Sequence, residues 1–256
     1  MGKIVKKRDY TKMKPFEVYS LVVRGELKKF PHNYLDKDII KEIVRHLILV
    51  VYNFTREDVI AKANHKFFSD NFLGGARKFF GVSDMTMIIY CFPEWDIKYW
   101  EFKEVPPGFW QHVENCKDFV LWVAEKENFD LNTKEGFRKI TAKVIYKYAG
   151  DKPLSYSGGI FGLLDIVACG KFKKWEITKM VSWSKEDIID ATKWLVEKKL
   201  KYTPEQVCNI KIEDFAKNSL DGMLQKGCNH SILEALNLAY PGMYFREGTR
   251  GIKLKK

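Results

Sequence analysis

The chain holds 256 residues, 46% of them apolar and 14% aromatic, enough to bury a core as one large domain or two to three small ones. Its richest apolar stretch, Leu47 to Tyr52, is six residues long, which excludes a membrane-spanning helix, and the basic start MGKIVKKRDYTKMK has no apolar segment behind it to direct secretion. A net charge of +11 and a pI near 9.2 favour a polyanionic partner, and for a cytoplasmic chain nucleic acid is the commonest one.

In chain order, residues 1–30 form a basic N-terminal segment. A first unit, 31–102, opens on the aromatic turn FPHNY and continues as DKDIIKEIVRHLILVVYNF, where apolar residues recur at three- and four-residue steps as one buried helical face requires. Thr55 then reads as the N-cap of a short helix, with Glu57 suited to the helix dipole. Another short helix is expected around NFLGGARKFFG, and a final one begins at the N-cap Ser83 and stops at Pro93.

A second unit, 107–177, repeats this grammar. PPGFW is followed by the helix ENCKDFVLWVAEKEN, the cap Thr133, and a final helix starting at Gly159. Its stretch IYKYAGDKPLSYSGGIF is rich in Gly and Pro, so the penultimate helix should be shortened or remade. The third unit, 180–248, opens at VSW. It runs through KEDIIDATKWLVEKKL, the cap Thr203 with Pro204 at the first helical position, NSLDGMLQKGC, and a helix capped by Ser231 with Glu234 in capping-box position. Pro241–Gly242 ends it, and 249–256 is a basic tail.

The three units register with one another. Aligning Pro93, Cys169 and Pro241 puts Ser83, Gly159 and Ser231 each ten residues earlier, and the upstream Thr-x-Glu anchors lie 28, 26 and 28 residues before those caps. WVAEK and WLVEK recur 72 residues apart. The expected fold is therefore all-α, an array of three divergent helical repeats, each holding a helix-turn-helix-like unit. The aromatics at unit ends (Trp95, Tyr99, Trp100, Trp110, Trp175, Trp183) are expected to pack against the next unit's first helix; stacking on single-stranded bases is the other use of such residues.

Several phrases, FEVYSLVVRGELKKFPHNY, LDGML, SILEALNLAYPGMYF and KFKKWEI, resemble an uncharacterised repeat family common in phage and prophage proteins. Its units carry a Leu-Gly-Gly-Met-Leu-like helix, then Ser-Pro-x-Glu-Ala-Leu, Ala-Tyr-Pro-Gly-x-Phe and Pro-Trp-Glu-Phe. The phrase before the break is also similar to helical repeats that accompany homing endonucleases, which are taken as small DNA-touching helix-turn-helix modules. The resemblance spans about Pro15 to Gly248, with departures: TMII replaces Glu-Ala-Leu in the first unit, Gly162 stands where the family has Glu, and YFREG replaces the third unit's Trp-Glu-Phe tail.

No chemical motif accompanies these repeats. Five scattered cysteines form no CxxC pair, and His32, His46, His65, His112 and His230 form no HExxH. Cys228 and His230 lack a second ligand pair, so neither a metal nor a cofactor is expected. GELKKF and GGARKFFG are not phosphate-binding loops, and no Gly-x-Ser-x-Gly elbow exists. Glu57–Asp58 and Glu186–Asp187 fall in first turns, where they complement the dipole. A non-enzyme is expected.

A helix-turn-helix sets the start of its second helix in the major groove, with nearby Lys and Arg on phosphates. That places Gln225, Lys226, Asn229, His230 and Ser231 at the contact in the third unit, and Arg77, Lys78, Ser83 and Thr86 in the first. The middle unit offers Lys171, Lys173 and Lys174, and the terminal arms 6–14 and 246–256 add charge, including Arg246 and Arg250. The expected function is a cytoplasmic phage or prophage protein that binds double-stranded DNA selectively, as a transcriptional regulator would. The rival is a phage factor that grips a host or defence protein, and a third reading is the DNA-targeting subunit of a mobile nuclease. The sequence sets no oligomeric state.

Overall fold

In the computed structural model, residues 9–179, 182–243, 245–248 and 251–254 are described. Almost all regular structure is helical, joined by one two-stranded hairpin. Among the described residues no helix is long and apolar enough to cross a membrane. The chain divides into two compact units, with the boundary between Phe109 and Trp110.

The first unit holds α1 (Pro15–Val23), α2 (Lys37–His46), α3 (Arg56–Lys62), α4 (His65–Asp70) and α5 (Asp84–Cys91). Asp36 starts α2 by accepting the Ile39 N–H at 2.8 Å, and Ile40, Ile43 and Val44 recur at helical spacing on its buried face. The helix then widens into a π turn, Leu47–Val51, whose first two residues stay buried. Thr55 and Asp58 cap α3 reciprocally, so the partner in the capping box is Asp58, with Glu57 beside it in the first turn. These helices enclose one core around Phe68, Met87, Ile88 and Phe92.

The aromatic tail of this unit folds back onto its own core. Trp95 stacks on Phe92 with ring centroids 4.1 Å apart. Arg56 holds the tail there, donating from Nε to the Trp95 carbonyl at 3.0 Å and from Nη2 to Glu101 at 2.7 Å. Trp95 thus has an aromatic partner and a guanidinium donor within its own unit.

The second unit holds α6 (Val113–Lys126), α7 (Lys134–Lys139), α8 (Ala142–Lys147), α9 (Asp151–Tyr156), α10 (Ile160–Ala168), α11 (Lys174–Ile177), α12 (Lys185–Lys193), α13 (Ile212–Lys217), α14 (Asp221–Gly227) and α15 (Ile232–Ala239). Trp110 is buried and meets Phe119 of α6 edge-on. Trp175 does what the sequence suggests: it lies edge-on to Trp194, just after α12, at 5.6 Å. Thr133 caps α7 through the Gly136 N–H, and a Cβ at Gly136 would sit 1.8 Å from the Asp130 carbonyl oxygen, so only glycine fits. The Gly- and Pro-rich stretch still forms α8 and α9, each six residues long.

Ser184 caps α12, which ends in a second π turn, Trp194–Leu200. Thr203 opens a 3-10 turn, Pro204–Asn209, in place of the expected α-helix. Ser231 caps α15 through the Glu234 N–H at 3.1 Å. Beyond it, β1 (Phe245–Gly248) pairs antiparallel with β2 (Gly251–Leu254), Phe245 opposite Leu254. Phe245 and Ile252 join the core of this unit, so part of the expected basic tail is instead a packed hairpin. An apolar side chain in each strand gives that segment a face to bury, which its charge conceals in the sequence.

Candidate nucleic-acid interface

Each predicted contact residue has a definite place. In the first unit, Arg77 lies on the 3-10 turn Ala76–Phe80, its Nη1 3.9 Å from Asp84, and Lys78 reaches over the Phe79 ring. The Ser83 hydroxyl accepts the Thr86 N–H at 3.2 Å, and the Thr86 hydroxyl pairs with that of Tyr99 at 3.0 Å. Both hydroxyls thus serve the fold. In the middle segment, Lys171 donates to the Asn132 carbonyl at 3.2 Å, Lys173 precedes α11, and Lys174 stands 3.6 Å from Asp187.

The turn between α14 and α15 is more open. Gln225, Lys226, Asn229 and His230 are all exposed, while Ser231 is occupied as the cap. Asn229 and His230 adopt left-handed backbone at φ 45° and 62°, which turns the chain sharply enough for the His230 N–H to reach the Leu224 carbonyl at 2.7 Å. Burial pushes the Cys228 thiol up to about 11, with Glu234 adding to the shift, so this cysteine is held as a neutral thiol in the core. Arg246 is exposed on β1, and Arg250 lies outside the described residues.

The final helices themselves are core struts. None of α5, α10 and α15 contains a lysine or arginine, and Tyr90 and Asn237 are their only exposed residues. Polar donors are concentrated in the turns and on neighbouring elements.

One of those elements supplies what local sequence reading misses. A cleft of about 530 Å³ in the second unit brings Lys226 together with Arg138, at the end of α7, and Lys179, after α11. Arg138 is held in place by two donations, Nε to the Glu176 carbonyl and Nη2 to the Ser219 hydroxyl, both 2.8 Å. Glu176 is buried and pairs with Lys134 at 2.5 Å, so its charge is already answered. Among the described residues, Arg138, Lys179 and Lys226 have no acidic partner at ion-pair distance. Three cations face one carboxylate, Asp221, at the rim. Trp175 and Trp183 also line the cleft, while their indole nitrogens are buried and have no acceptor among the described residues. Arg138, Lys179 and Lys226 make this a cationic surface suited to an oxyanion.

Among the described residues, no three His, Cys, Asp or Glu side chains gather as metal ligands would.

Residues 16–97 match a family described as a protein of unknown function (DUF4046), which covers most of the first unit and none of the second. No curated protein and no solved structure matches the chain.

Proposed function

We propose that this chain is a non-enzymatic, cytoplasmic DNA-binding protein of phage or prophage type, built from three divergent helical repeats and selective for duplex sequence. The recurring caps support the repeat: Thr55, Thr133 and Thr203 each open a short helical segment, and Ser83, Gly159 and Ser231 each open a later helix. Two of the three long helices also end in a π turn. The observation that carries the functional reading is the gathering of Arg138, Lys179 and Lys226 in one cleft, with Lys226 followed three and four residues later by the exposed Asn229 and His230. The cations take phosphates, and the turn supplies short polar side chains that can reach base edges.

Sequencing duplex fragments retained by the purified protein from a random pool tests selectivity. Enrichment of one motif supports the proposal, whereas retained fragments with the composition of the input reduce it to backbone binding alone.

A second reading, binding of a host or defence protein, has one observation in its favour. In the first unit Val50, Val51 and Phe72 are 66%, 58% and 55% exposed, and Tyr52 adjoins them through its bond to Asn71. Exposed apolar residues grouped in this way are a common mark of protein contacts.

A further inference from the structure

The cationic cleft of the second unit is larger and more highly charged than contact with a continuous DNA backbone requires. Its volume, about 530 Å³, falls within the range of small-molecule sites, roughly 300–1,000 Å³, and one phosphate group leaves most of it empty. Arg138, Lys179 and Lys226 are all exposed, and Asp221 is the one carboxylate among the described lining residues, so positive charge exceeds negative by two. Each phosphodiester of a backbone carries a single negative charge, whereas a phosphomonoester carries about −1.5 to −2 near pH 7. The charge of the lining matches the monoester.

The donors are positioned as well as charged. Arg138 donates from Nε to the Glu176 carbonyl and from Nη2 to the Ser219 hydroxyl, which fixes the guanidinium and leaves Nη1 without a partner among the described residues. Ser219 accepts from Arg138 and keeps its own hydroxyl proton to donate. The Glu176 carboxylate is answered by Lys134, so it does not draw on the charge of Arg138. A guanidinium held in this way meets an oxyanion with little ordering cost.

Trp183 gives the cleft an apolar side. It is half-buried, and its indole nitrogen is covered, so its side chain can offer a ligand only ring carbon. Trp175 backs it, with ring centroids 6.1 Å apart. A flat aromatic surface beside fixed cations suits a ligand that joins a planar base to a phosphate.

We propose that this cleft binds a nucleoside phosphomonoester, free or at the 5′ end of a strand, with its phosphate on Arg138, Lys179 and Lys226 and its base against Trp183. A free nucleotide seated there competes with duplex DNA for the same cations and lowers DNA binding. The inference rests on the reading of this cleft as a phosphate site, and the two can fail separately.

Calorimetric titration of the full chain with adenosine 5′-monophosphate (AMP), with its methyl phosphodiester and with ribose 5-phosphate tests this directly. AMP should saturate with Kd below about 1 mM. The methyl ester keeps base and sugar but loses one charge, and should bind at least tenfold more weakly; ribose 5-phosphate, which lacks the base, should also bind more weakly than AMP. Lys179→Ala should weaken AMP binding about tenfold, the loss of one hydrogen bond between charged groups. Lys193→Ala, which removes an exposed lysine outside the cleft, should leave it unchanged. A hexathymidylate with and without a 5′-phosphate shows whether a strand end enters the cleft. At matched ionic strength, AMP should displace a bound duplex in anisotropy titrations. The proposal is overturned if neither AMP nor the phosphorylated strand binds, if the methyl ester or ribose 5-phosphate binds as tightly as AMP, or if Lys179→Ala leaves the affinity unchanged. Duplex binding that persists in those cases keeps the DNA reading, whereas AMP binding without duplex binding removes the DNA reading and keeps this one.

Discussion

The Arg138 guanidinium donates to the Ser219 hydroxyl at 2.8 Å across 81 positions of sequence. That bond ties the end of α7 to the residues before α14, and it sets the arginine against the same cleft as Lys226. Ser219 itself sits in left-handed backbone at φ 62°, so the turn that presents its hydroxyl is a specific one.

Replacing Arg138 by alanine should weaken binding to every duplex alike. It should also lower the slope of log affinity against log salt by about 1, the signature of one lost phosphate contact. Arg138→Lys keeps the charge and should restore most of the slope. Anisotropy titrations of two unrelated duplexes check this; a loss confined to one sequence would assign Arg138 to base reading.

Lys226→Ala and Asn229→Ala separate positioning from reading. The lysine variant should lose affinity uniformly. The asparagine variant should relax preference at one base pair, by about 1–3 kcal/mol if the contact is bidentate. Selection from a duplex pool with one randomised site measures both, and equal, uniform losses would show that Asn229 reads nothing.

Gly136→Ala is expected to destabilise the second unit by about 3 kcal/mol, at the upper end for overpacking, because the new Cβ meets a backbone carbonyl that cannot yield cheaply. Thermal unfolding measures the loss. Gly222→Ala is the control, since nothing lies within 4 Å of its added Cβ.

Hydrogen bonds from Lys62 and Thr55 hold the Asp58 carboxyl down at about 2, well below its ordinary value. A lowered folded-state pKa contributes stability that is present above the ordinary carboxylate range and is lost as pH falls from there through about 2. Asp58→Asn should therefore flatten the acid limb of the unfolding-temperature profile between about pH 4 and 2. Because the group is exposed, the difference should be small at neutral pH. An acid limb unchanged by the substitution would remove Asp58 from the account.

Much of the helical grammar was legible because it is local. Thr55, Ser83, Thr133 and Ser231 announce helix starts through bonds that reach only three residues ahead. The π turns after α2 and α12 were not legible, since the apolar spacing continues through them while the hydrogen bonding changes. Nor was the C-terminal hairpin, where lysines and arginines mask the apolar contributions of Phe245 and Ile252. The exposed turn residues Gln225, Lys226, Asn229 and His230 could be named from the sequence. Arg138 and Lys179 could not, because only the long-range fold brings them to Lys226.

The central claim is that the cationic surface binds duplex phosphates. Its most direct test is the affinity of the full chain for a mixed-sequence duplex, measured by anisotropy across a range of salt concentrations. Binding should weaken steeply as salt rises, with a log–log slope of about −0.9 for each phosphate engaged, because neutralised phosphates release their counterions. Tight binding that ignores salt, or no binding even at low salt, would contradict the account and leave the exposed apolar patch at Val50, Val51 and Phe72 as the surface to pursue.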